Sequence, residues 1–380
     1  MLDHLFPQTF RHFSRPFKFI SAKMGSRTES QTKKTVVKVI TGLLISVPLL
    51  FVVTLLLSSA DEAFERLLST MFSGIDSFSF TEGVLRAIWI GVLFVFLFGY
   101  LWGFKEPVTY DWEAAGHKDV NLLDRIVWDP VIVATILIAV NVVYMLFAAV
   151  QFSYLFGAWS GELPSGMTYA EHARSGFFEL VMVTIINFGL MAGVLTFTRG
   201  GRMLLQSWNR VLMSLLIGCT AVMLISAFVR LQLYEQVYGY TYIRFLVHAF
   251  MIFLGIMLIF AGYRVWSERI SLLHVFVIAG LLAYVTVNFV GMDSIIAQKN
   301  MKRYLETGML DAAYLNELSW EAVPDMVEMS SKNEEISRYL QEKYEWVRKE
   351  KKDWRSFNWS RYQAEKVLVE YMNNKKLQEG

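Results

Sequence analysis

Side chains with the types and spacing to do chemistry inside a bilayer gather on two stretches of this sequence. In AEHARSGFFELVMVTIINFG (170–189), His172, Gly176 and Glu179 fall at i, i+4 and i+7, on one stripe of a helix. Arg174 lies on roughly the opposite side, and Asn187 sits deeper in the apolar run. In RLQLYEQVYGYTYIRFLVH (230–248), Arg230, Tyr234 and Tyr238 recur every four residues, Gly239 breaks the pattern, and Arg244 and His248 follow four apart. An ionised side chain at the centre of a membrane helix costs roughly 2.5–3.5 kcal/mol on insertion scales, and less near the interface. A Glu179–Arg244 or Glu179–Arg230 pair would relieve that cost. Such a cluster reads either as a ligand site or as a structural pair that fixes helix register. Glu179 or His248 is also the group that would act as a general base if the chain were an enzyme.

Metal binding is the weaker chemistry. His172, Glu179 and His248, with Asp293, are suitable donors, yet no HExxH or HxxxH spacing places two ligands on adjacent turns, so no metal is expected. Tyr234, Tyr238, Tyr240 and Tyr242 read first as an interfacial aromatic belt and second as walls of a sugar or headgroup site. There is no phosphate-cradling glycine loop, nucleophile elbow or kinase signature, so no catalytic residue and no cofactor is assigned. Thr198-Arg199-Gly200-Gly201-Arg202 is a short basic turn rather than a phosphate site. A net charge of +2 leaves no nucleic-acid footprint, and the single cysteine, Cys219, excludes an intramolecular disulfide.

The elements that must position these residues are membrane helices. The 380 residues are 54% hydrophobic and only 18% charged, below the quarter or so that soluble domains carry. Apolar runs at 36–59, 84–104, 131–156, 173–197, 208–229, 243–263 and 270–290 are each long enough to cross a bilayer, and lipid requires them to be helices. The expected fold is an all-α integral membrane protein of about seven transmembrane helices. Residues 1–35 form a basic cytoplasmic segment, 36–290 the membrane domain, and 291–380 a small helical extracytoplasmic tail. In the tail, 294–308, 311–318, 321–329, 333–352 and 359–377 read as helices, with Ser319 and Asn333 as N-caps and Gly308 as a turn.

Loop charges set the expected orientation. Lys105, Lys118, Arg125, Arg199, Arg202, Arg264 and Arg269 fall on alternate connections, and the others are acidic or nearly neutral. The positive-inside rule then puts the N-terminus in the cytoplasm and the tail outside, although Lys299, Lys302 and Arg303 pull the other way. The start of the fourth run, the end of the fifth and the start of the sixth share the outer half of the membrane.

Four strings carry a resemblance: AEHARSGFFELVMVTIINF, LYEQVYGYTYIRF, DSIIAQKNMKRYLETGMLDAAYLNELSWEAVP and DWRSFNWSRYQA. From about residue 130 to the end, the chain resembles a bacterial multi-pass membrane family labelled domain of unknown function 4173, whose sister family is 4153. The resemblance implies an inner-membrane protein with an extracytoplasmic helical tail, and no activity. The residues that match are Arg174, Gly176, Phe177, Glu179 and Asn187, then Tyr234, Tyr238, Gly239, Thr241 and Arg244, then Asp293, Asn300, Trp354 and Arg361.

Three functions compete. The favoured one is a non-catalytic sensing or binding module, embedded in lipid, that recognises a protein partner or small ligand on its outer face. A carrier for a small solute or lipid would line its path with Glu179, Arg244 and His248. An intramembrane enzyme would need Glu179 and His248 to converge on one site.

Overall fold

Long apolar runs become long helices because every backbone polar group must find a partner within its own segment. The computed structural model describes residues 31–71, 97, 101, 127–159, 176–198, 203–267, 271–349 and 357–379. All secondary structure there is helical apart from one isolated bridge between Trp128 and Thr198. Among the described residues, five helices are long and apolar enough to cross a membrane, or six if one bent pair is a single span. The chain is a multi-pass, all-helical membrane protein. Almost all of the run at 84–104 and most of the basic segment at 1–35 lie outside the described residues, as do His172 and Arg174.

The helices are α1 (Gln31–Ala60), α2 (Glu62–Met71), α3 (Pro130–Trp159), α4 (Phe177–Phe197), α5 (Met203–Tyr238), α6 (Tyr242–Trp266) and α7 (Leu272–Phe289). Then follow α8 (Met292–Thr307), α9 (Ala312–Glu317), a 3₁₀ turn (Trp320–Ala322), α10 (Val323–Ser330), α11 (Glu334–Lys349) and α12 (Trp359–Glu379). The chain divides into two compact units, Met1–Leu163 with Phe178–Met223, and Pro164–Phe177 with Leu224–Gly380.

In the first unit α1 lies along α3. A Cβ on Gly42 would stand 2.7 Å from that of Thr135, so the crossing depends on a residue without one. Asp61 ends α1 and starts α2: its Oδ1 accepts from the Ala63 and Phe64 amides, and its Oδ2 accepts from Gln151 Nε2 at 2.8 Å. Phe64 then packs edge-on against Phe147 of α3. Asn141 and Asn209 tie α3 to α5 by donating to the carbonyls of Leu212 and Pro130.

In the second unit α7 and α8 meet at Gly291, whose φ of 67° is open to glycine, and their axes bend by 62°. The tail helices α8–α12 close around their own core, with Ile296, Leu315, Val323, Met326, Ile336, Leu340, Ala364 and Leu368 at its centre. The expected caps Ser319 and Asn333 are joined by Asp311 and Asn358. Ser319 accepts from the Glu321 amide, Asn333 from Glu335 and Ile336, Asp311 from Tyr314, and Asn358 from Arg361. Gly308 closes α8 in the left-handed conformation.

Candidate functional site

The last four carbonyls of a helix have no partner within it. At the C-terminus of α5 all four are taken. The Gly239 amide donates to Glu235 O at 2.8 Å. Arg303 of α8 donates Nε to Gln236 O at 2.9 Å and Nη2 to Val237 O. Arg244 of α6 donates Nη1 to Tyr238 O at 3.2 Å and also to Gly239 O. Two guanidinium groups thus sit at the negative end of the α5 dipole, where cations are favoured. The Arg244 guanidinium also lies 4.4 Å from the centre of the Tyr234 ring, which itself packs on Tyr238.

The connection itself is held with equal economy. Asn300 of α8 uses its side-chain amide as a second backbone, accepting from the Tyr240 amide at 2.9 Å and donating to Tyr240 O at 2.8 Å. The Tyr314 hydroxyl accepts from the Tyr242 amide at 2.8 Å, covering an N-terminal donor of α6 that Thr241 leaves uncapped. Gly239 has φ +85°, and a Cβ there would stand 3.0 Å from Asn300 Oδ1 and 3.3 Å from Arg303 Nη1. No other residue fits that turn without strain. Tyr240 and Phe245 pack against the tail core. Burial, followed by the charge of Glu235, pushes the Tyr240 hydroxyl above its usual range, and burial raises Tyr314 too. The tail is therefore docked on the α5–α6 hairpin.

Deeper in the same unit, Glu235 and His248 meet, with Nδ1 3.2 Å from Oε1. Glu235 is 3% exposed, and His248 packs edge-on against Phe228. His248 Nε2 is buried with no hydrogen-bond partner. Glu235 was missed by sequence reasoning, which followed the tyrosines on either side of it. Its signal was a lone carboxylate one residue off that stripe. Arg230, one turn earlier, is also buried.

The described sequence-predicted residues are divided between the two units. Tyr234, Tyr238 and Arg244 come together at the end of α5, beside the backbone that the tail grips, and His248 joins Glu235. Asn187 belongs to a different group in the first unit. It accepts from the Tyr144 hydroxyl and donates Nδ2 to Thr220 Oγ1 at 2.9 Å, and Thr220 donates to Leu216 O at 2.7 Å. All three side chains are fully buried, so this neutral relay pins α3, α4 and α5 together. Glu179 lies in the first turn of α4, also in the first unit, and is partly exposed. Among the described residues, no group of three or more His, Cys, Asp or Glu could hold a metal ion.

The family described as Domain of unknown function (DUF4153) matches this chain over residues 2–329. The match is to the sister family of the expected resemblance, and 4173 itself is not shown. It also begins far earlier than residue 130 and stops within α10, short of Trp354 and Arg361. No curated protein matches the chain, and no solved structure does. With well over half of its length matched, this multi-pass membrane protein belongs to the DUF4153 family.

Proposed function

We propose that this protein is a non-catalytic sensing or binding module in which the tail and the membrane helices act through the α5–α6 hairpin. One observation carries the reading. The carbonyls that end α5 are satisfied jointly by a tail arginine, Arg303, and by a membrane-helix arginine, Arg244. A ligand or protein partner that displaces the tail must leave some of those carbonyls unpaired, so an event at the tail reaches the helix pair that holds Glu235 and His248. The favoured setting is a bacterial inner membrane, with residues 1–35 cytoplasmic, 36–290 spanning it, and 291–380 on the outer face.

The test uses the full chain in lipid nanodiscs. Hydrogen exchange across residues 236–244 should be slow in the wild type and fast in Arg303→Ala and Asn300→Ala. Protection that survives in both variants sinks the coupling.

A carrier is the second reading, favoured by the buried Glu235–His248 pair between α5 and α6. Solute or proton flux through reconstituted chain that disappears in Glu235→Gln would establish it in place of the binding module.

A further inference from the structure

The tail helices that close the chain carry their charge unevenly. Residues 343–349 and 357–366 hold five Lys or Arg against two Asp or Glu. Elsewhere in the tail, the segment 350–356 aside, seven bases face twelve acids. The basic end is also where the exposed rings are: Trp346 is 50% exposed, Phe357 67%, Trp359 63% and Tyr362 52%. Three of these rings are neighbours, and Arg361 links them to the fourth. Tyr362 packs at 5.9 Å on Trp359 and 6.2 Å on Phe357, and Arg361 stands 5.0 Å from the Trp346 ring.

The face is built rather than incidental. Trp320 stacks on Trp346 at 5.7 Å, and Arg361 covers both rings while its Nε donates to Glu365 at 3.1 Å. Beside it, a groove of about 560 Å³ runs between α11 and α12, walled by Tyr344, Val347, Tyr362 and Val369, with Arg348, Lys366 and the arginine-paired Glu365 among them. Large exposed rings carry no advantage in water, and a patch of them marks a surface that something covers.

We infer that the aromatic and basic face of α11 and α12 docks on the anionic phospholipid surface of the bilayer that the chain spans. Trp and Tyr partition to the headgroup level, and adjacent bases pair with anionic headgroups. The acidic remainder of the tail is repelled by the same surface, so the charge division orients the docked tail. Proximity is already supplied, because Arg303, Asn300 and Tyr314 fix the tail to the end of two membrane-spanning helices. A tethered surface of this kind needs little intrinsic affinity to stay bound. The face lies beyond the stretch that matches the family.

The test again uses the full chain in nanodiscs. In a Cys219→Ser background, spin labels are placed at Tyr362→Cys or Val369→Cys on the face, and at Ser331→Cys away from it. Power saturation with oxygen and a water-soluble nickel complex then reports depth. The expected result is headgroup depth for the two face positions in discs containing phosphatidylglycerol, and water exposure at 331. Arg348→Glu with Lys366→Glu, or high salt, should return the face labels to water. Face labels that report water in anionic discs overturn the inference and leave the surface to a protein partner. Equal depth in zwitterionic and anionic discs overturns the anionic recognition.

Discussion

Two polar groups in this molecule solve the same problem in opposite ways. In the first unit, Tyr144, Asn187, Thr220 and the Leu216 carbonyl form a neutral relay with no exposed side chain. In the second, the end of α5 is closed by two charged arginines, one of them from a helix that follows the membrane segments. The relay satisfies side chains that would otherwise be orphaned in an apolar interior. The socket satisfies backbone, at a helix end where the dipole favours cations. Amides and hydroxyls therefore fix helix register within the first unit, whereas in the second guanidinium groups fix what docks on the α5–α6 hairpin.

That contrast can be broken by experiment, beginning with the largest effect. Arg303→Ala removes the partner of two carbonyls, and charged hydrogen bonds contribute roughly 1.5–3 kcal/mol each, with partial solvent exposure placing the loss near the lower end of the sum. The tail should become protease-sensitive at residues whose protection the wild type shows. Gly239→Val should follow, at about 2 kcal/mol, since a β-branched residue at positive φ is strained and its side chain meets Asn300. Asn187→Leu should cost about 1 kcal/mol in a thermal scan in lipid, because interhelical hydrogen bonds in membranes average well below those in a dry medium. It should leave tail protection unchanged. A larger effect of Asn187→Leu than of Arg303→Ala on tail protection would erase the distinction between the two groups.

The smallest effect is alkaline. The Tyr240 hydroxyl is raised in the folded state, so its contribution is present below the ordinary tyrosine range and is lost as pH rises through the folded value. Tyr240→Phe should flatten that part of the loss of tail protection above about pH 10. Lys343, lowered chiefly by burial, works in the other direction and is unchanged in the variant.

The long helices and the tail were legible because they depend on local signals. Apolar length, Ser319, Asn333 and Gly308 each specify structure within a turn or two of themselves. The socket was legible only in its near half. Tyr234, Tyr238 and Arg244 lie close together in sequence, but Asn300, Arg303 and Tyr314, which bond the backbone of Tyr240, Gln236 and Tyr242 beside them, come 60 to 72 residues later in the chain. Arg303 was visible only as a positive charge that disturbed the orientation rule, whereas in the fold its guanidinium caps α5. Asp61 and Gln151 were missed as a pair for the same reason, since 90 residues separate them.

The docking of the tail also sets an order of events during synthesis. Residues 236–240 leave the ribosome 60 or more residues ahead of Asn300, Arg303 and Tyr314. At roughly 5–20 residues per second, the hairpin exists for some ~3–12 seconds before its partners arrive. During that interval the carbonyls of Gln236 and Val237 have only water to bond, and hydrocarbon would not tolerate them bare. The turn must therefore wait at the aqueous boundary rather than within the membrane, and the nascent tail finds it there.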